Sequence, residues 1–81
     1  MRGIVKWFSP GKGYGFISKE DGSGDVFCHF SGIKGEGYRN LTEGETVTFE
    51  TEESNRGPRA IDVVVVRTVD GEEIPPQEQV G

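Results

Sequence analysis

Short apolar runs, broken every few positions by glycine, proline or charge, extend along this chain, and none sustains a helical period. The pattern predicts strands. The first is expected over Arg2 to Phe8, closed by a Ser9-Pro10-Gly11 turn, and the second over Tyr14 to Lys19, closed by Glu20-Asp21-Gly22-Ser23-Gly24. A third covers Asp25 to His29. A long glycine-bearing loop then runs from Ser31 to Gly44, with Leu41 as its anchor in the core. The fourth strand is expected from about Glu45 to Glu53, with Val47, Phe49 and Thr51 on one face. After Ser54-Asn55-Arg56-Gly57-Pro58 the fifth runs from Arg59 to about Thr68. Five short strands around one small core fit an all-β barrel, the five-stranded antiparallel Greek-key arrangement of the OB-fold. That domain is expected over residues 1–68. Residues 69–81, with two prolines and four acidic residues, are expected to form a mobile tail.

Alternation along the strands sorts the side chains into two kinds. Tyr14 and Phe16 share one face of the second strand, and Gly13, Gly15 and Ile17 the other. In the third strand Val26 and Cys28 oppose Phe27 and His29. A single phenylalanine in a strand is as readily a core residue as an exposed one. Here the core assignment would put Ile17, Val26 and Cys28 in water, while Val5, Ile17, Val26, Val47, Phe49, Ile61 and Val63 can fill a small barrel without the rings. The rings Tyr14, Phe16, Phe27 and His29 are therefore expected to project outward together. Trp7 and Phe8 are adjacent, which breaks alternation; a local bulge would bring both to the edge of that surface. Ile61, Val63 and Val65 are expected in the core, which leaves Val64 and Val66 exposed.

Composition adds two constraints. The chain has 81 residues and 32% hydrophobic residues, so its core is small, yet it carries five Phe, two Tyr and one Trp. The net charge of −5 is uneven: residues 1–41 balance to +2 and residues 42–81 to −7. The first half can thus present a neutral or positive surface, although charge alone does not suggest a polyanionic partner. Lys6 and Lys12 flank the rings. Lys34, Arg39, Arg56 and Arg59 lie in loops or at strand starts, where each is a candidate phosphate contact or an ordinary solvated charge. The single cysteine excludes an internal disulfide and fits a reducing compartment. Cys28 and His29 point to opposite faces and do not make a metal pair. No apolar run is long enough for a signal peptide or membrane span, so the protein is expected in the cytoplasm. Gly11-Lys12-Gly13-Tyr14-Gly15 lacks the ending of a phosphate loop, and His29 has no triad partners. Neither an enzyme nor a cofactor or metal is expected.

Lys12-Gly13-Tyr14-Gly15-Phe16-Ile17 resembles the first ribonucleoprotein motif of the cold-shock domain family, and Val26-Phe27-Cys28-His29-Phe30-Ser31 resembles the second. Gly3-Ile4-Val5-Lys6-Trp7-Phe8, Glu43-Gly44 and Arg56-Gly57-Pro58-Arg59-Ala60 also match in order and spacing, so the resemblance covers about residues 2–66. It implies that Lys6, Trp7, Phe8, Lys12, Tyr14, Phe16, Phe27, His29, Phe30, Tyr38 and Arg56 contact nucleic acid. It also implies an RNA chaperone that acts without ATP in a cold-shock or stress response; a monomer is expected, with a homodimer as the alternative. Ser9 departs from the family's usual Asn, and Cys28 from a commoner aliphatic.

The rings have a physical use on either reading. Each flat face stacks on a base and contributes about 1–3 kcal/mol with little sequence preference, and only single strands offer free base faces. The expected partner is therefore single-stranded RNA, or single-stranded DNA. A sequence-selective regulator of transcription or translation would need hydrogen bonds to base edges as well. A protein or oligosaccharide docking module is the third reading, since OB-folds serve those uses too.

Overall fold

In this computed structural model, which describes residues 1–34, 40–55 and 57–72, five strands close into a barrel. They are β1 (Arg2–Ser9), β2 (Tyr14–Lys19), β3 (Asp25–His29), β4 (Thr46–Ser54) and β5 (Gly57–Arg67). The order around the barrel is β1-β2-β3-β5-β4. Four ladders are antiparallel, and the seam between β3 and β5 is a short parallel pairing of Phe27 with Arg59 and Cys28 with Ala60. A single 3₁₀ turn, Phe30–Gly32, follows β3. The strand limits expected from the pattern hold to within about two residues.

The core contains Val5, Ile17, Val26, Cys28, Val47, Phe49 and Val63, joined by Ile33, Leu41 and Ala60. Leu41 therefore anchors its loop as expected. The glycines that alternate with aliphatics in β1 and β2 are there for close approach. A Cβ on Gly3 would sit 2.5 Å from the Ser18 carbonyl oxygen, and one on Gly15 would meet the Trp7 carbonyl oxygen and Phe8 Cα. Barrel closure at this size leaves no room for a methyl group at either point.

Two of the three register shifts in the ladders of the described residues re-aim side chains. In β1 the register slips between Val5 and Trp7, leaving Lys6 as the extra residue. In β5 the pairing of Thr48 with Val64 is followed by that of Glu50 with Ile61, and Asp62 takes a left-handed conformation with φ of 53°. This second irregularity corrects the expected core. Ala60 takes the inward place, Ile61 is only half-buried, and Val63 and Val65 resume the inward alternation. Val64 and Val66, expected in water, are also half-buried. Beyond β5, the Thr68 N–H donates to the Glu72 carbonyl at 2.9 Å. Residues 73–81 of the expected tail lie outside the described residues.

Candidate nucleic-acid interface

The bulge at Lys6 organises one face of the barrel. Strict alternation from Val5 would turn Trp7 inward. The extra residue instead leaves Lys6 and Trp7 exposed and turns Phe8 toward the core, where it is half-buried against the aliphatic cluster opposite Gly15. Trp7 pairs across the ladder with Phe16, and Phe16 with Phe27. Tyr14 pairs with His29. The result is a row of outward rings on three adjacent strands.

These rings touch one another. Trp7 lies 5.8 Å from Tyr14, edge to face, and 5.5 Å from Phe16. Tyr14 and Phe27 are stacked with centroids 5.7 Å apart and planes 29° apart, and Phe16 meets Phe27 edge-on at 5.8 Å. Ring-to-ring packing of this kind stabilises the cluster and fixes the orientation of its faces. Trp7 remains 38% exposed, and Tyr14, Phe16 and Phe27 are half-buried. Each ring thus rests on its neighbours and keeps surface open to a ligand.

A second aromatic pair extends the cluster. His29 and Phe30 lie 4.6 Å apart, and Phe30 is 46% exposed. The Phe30 N–H donates to the Gly13 carbonyl at 2.8 Å, and the Phe30 ring covers Gly13 so closely that a Cβ there would be 2.9 Å away. Gly13 itself has φ of 78°, in the left-handed region that glycine tolerates. This contact places Phe30 beside the β1–β2 turn that carries Lys12. That turn is held by the Ser9 carbonyl, which accepts from the N–H groups of Lys12 and Gly13, so its main-chain bonds do not depend on the side chain at Ser9. His29 caps the 3₁₀ turn: the Ser31 N–H donates to His29 Nδ1 at 3.2 Å, and Ser31 Oγ lies 2.8 Å from the same nitrogen.

The cations fall into two groups. Lys6 Nζ donates to Asp25 Oδ2 at 2.8 Å, and Ser18 Oγ to Asp25 Oδ1 at 3.1 Å. Lys6 and, more weakly, Ser18 hold the Asp25 carboxyl below its ordinary value. Lys12 and Lys34 are exposed and have no ion-pair partner among the described residues. Tyr38 and Arg56, which the family resemblance implicates, lie outside the described residues, as does Arg39. On the inner side of β3, burial pushes the Cys28 thiol up to about 11. No group of three or more His, Cys, Asp or Glu able to hold a metal occurs among the described residues. None of their helices is long and apolar enough to cross a membrane.

The structure thus brings together Trp7, Tyr14, Phe16 and Phe27, sets His29 and Phe30 beside them, and places Lys6 and Lys12 at the margin. Phe8, expected at the edge of this surface, packs against the aliphatic core instead, because the extra residue at Lys6 reverses its side. A concave extension was missed by the sequence reading: a groove beyond Phe27, across the β3–β5 seam, that includes Arg59. Only the parallel pairing of two distant segments creates it.

Comparison with known proteins gives a consistent result. The family model described as the 'Cold-shock' DNA-binding domain matches residues 1–66. The chain is 54% identical over 66 residues to Cold shock-like protein CspB of Yersinia pestis, covering 82% of this chain and 94% of that protein. It is 52% identical over 63 residues to Cold shock-like protein CspC of Buchnera aphidicola, covering 78% and 91%. To Cold shock-like protein CspC of Escherichia coli it is 48% identical over 66 residues, covering 82% and 96%.

Proposed function

The chain belongs to the cold-shock domain family, and from that premise we propose that it holds single-stranded nucleic acid by stacking bases on its exposed rings. RNA is the principal cellular strand in this reading, single-stranded DNA a second ligand, and binding uses no ATP. The observation that carries it is the contact network of Trp7, Tyr14, Phe16 and Phe27 on the outside of a barrel whose aliphatic core is complete without them. Four outward aromatic side chains in mutual contact are costly to hydrate unless a ligand covers them. Bases in a duplex are already stacked, so the surface favours unpaired strands.

Such a protein traps strands as they open and leaves no covalent trace, which is the action of an RNA chaperone in a cold-shock or stress response. It works as a monomer, since the face needs no second copy to complete it. The single buried thiol and the cold-shock relatives support a cytoplasmic place of action.

Stacking of four or five bases, offset by the cost of ordering the strand, supports an affinity of about 1 μM or somewhat tighter. A Trp7 fluorescence titration with a pyrimidine-rich RNA and with its duplex tests this. Quenching by the single strand with at least about tenfold weaker response to the duplex is expected. Equal response to both, or none at tens of micromolar, contradicts it.

A further inference from the structure

One edge of β5 is paired along only part of its length. On the side away from β4, β5 meets β3 at Arg59 and Ala60 and Ile33 at Val63, and the Lys34 N–H donates to the Val63 carbonyl at 2.9 Å. Among the described residues, pairing on that edge stops there. Val65, two residues on, presents its main-chain groups to the same side. Val64, Val65 and Val66 are each only half-buried. An edge lined by β-branched residues is a template for another strand.

The chain itself turns toward this edge. Val47 pairs with Val65 but Thr46 with Arg67, so β5 holds one extra residue there. That residue inverts the later alternation, and the Thr68 N–H points to the same side as the main-chain groups of Val63 and Val65. It donates to the Glu72 carbonyl at 2.9 Å. The Thr68 carbonyl accepts from the Gly71 N–H at 2.9 Å, and Thr68 Oγ1 from the Glu72 N–H at 3.1 Å. Gly71 is left-handed, with φ of 85°. A tight turn closed by a left-handed glycine is the three-residue loop of a β-hairpin. This turn is also seated on the barrel: a Cβ on Gly44 would lie 3.4 Å from Val69 Cγ1, next to the start of β4. Glu72 is thus the first residue of a returning arm.

We propose that the free edge of β5 is covered by the chain's own Glu73 and Ile74, which return along it as a short added strand with Ile74 opposite Val65. The hairpin bonds at Thr68 set that register: Ile74 is two positions beyond Glu72, and Val65 is two positions before Thr68 once the extra residue is counted. Pro75 and Pro76 have no N–H to donate, so pairing ends with them and the new edge is blunted against further strands. A second copy that sought the same edge would have to displace an arm tethered by a three-residue loop, which is present at high effective concentration. The proposal does not depend on the stacking function.

The test is amide hydrogen exchange on the full chain, read by NMR. The Val65 N–H should exchange at least about tenfold faster in Ile74→Pro than in the wild type, because proline cannot donate to the Val65 carbonyl and the pair is lost. Val80→Pro, the same change beyond the two prolines, should leave that rate within about twofold. Cross-strand nuclear Overhauser contacts between Ile74 and Val65 are expected, unchanged on about tenfold dilution. Equal Val65 exchange in the wild type and Ile74→Pro, or absence of those contacts, would overturn the proposal. Contacts that fade on dilution, or that join a labelled copy to an unlabelled one, would overturn it in favour of a second copy on this edge.

Discussion

Lys6 Nζ lies 2.8 Å from Asp25 Oδ2, so a cation beside the ring cluster is already engaged by a carboxylate on the same face. The pairing arises from the β1 bulge, which leaves Lys6 and Trp7 both exposed, and from Ser18, which holds the other Asp25 oxygen. The hydrogen bond from Lys6, aided by Ser18, depresses the Asp25 carboxyl below 3.8. A depressed carboxyl stabilises the fold above its unfolded value, and that contribution is lost as pH falls through the lowered folded value. NMR titration should place the Asp25 midpoint below 3.8, and Lys6→Gln should return it toward 3.8.

Since Lys6 is paired and Lys12 and Lys34 are exposed without ion-pair partners among the described residues, few phosphates should be neutralised on binding. About three or four such contacts on a single strand correspond to a log–log salt slope of about −2 to −3. Affinities measured across a range of salt concentrations check this. A slope twice as steep would mean that cations rather than rings dominate.

Gly15 is fixed by its surroundings. A methyl group there would meet the Trp7 carbonyl oxygen and would lie 2.6 Å from Phe8 Cα, both main-chain atoms that cannot rotate away. Gly15→Ala should therefore cost at least about 2 kcal/mol in denaturant unfolding, and it should move Trp7 and Phe8 together. Loss of stability accompanied by a shift in Trp7 emission is the expected result.

Cys28 should behave as a core residue. Its thiol is buried and raised from 9.0 to about 11, so a thiol-reactive disulfide reagent at neutral pH should modify it only as fast as the chain opens. The raised value makes stability complete below about pH 9 and erodes it as pH climbs toward about 11. Cys28→Ser should cost about 1–3 kcal/mol, because the His29 carbonyl that the thiol donates to is 3.8 Å from the sulfur, too far for a hydroxyl donor in the same place. Urea unfolding at neutral and alkaline pH measures both effects.

Much of this architecture is legible in the sequence because strand alternation is a local property. Tyr14, Phe16, Phe27 and His29 could be placed on one face by counting, and Leu41 could be read as an anchor from its isolation in a polar loop. The errors sit downstream of irregularities. Counting back from Lys6 does not reveal that the bulge turns Phe8 toward the core. In β5, the left-handed Asp62 displaces Ile61 and gives its place to Ala60; aspartate tolerates that conformation better than most residues, which is the one signal the sequence held. The groove at Arg59 was illegible for another reason. It depends on which strands become neighbours across the seam, and no local pattern encodes that pairing.

In the proposed function the rings, more than the charges, hold the strand. The double variant Phe16→Ala, Phe27→Ala tests it most directly, with circular dichroism to verify that the barrel is retained. Titrated with a short single-stranded oligonucleotide and followed by Trp7 fluorescence, it should bind at least about thirtyfold more weakly than the wild type, as expected for two stacking faces at about 1–3 kcal/mol each. An unchanged affinity in a folded double variant would contradict the account and point to a different use of this face.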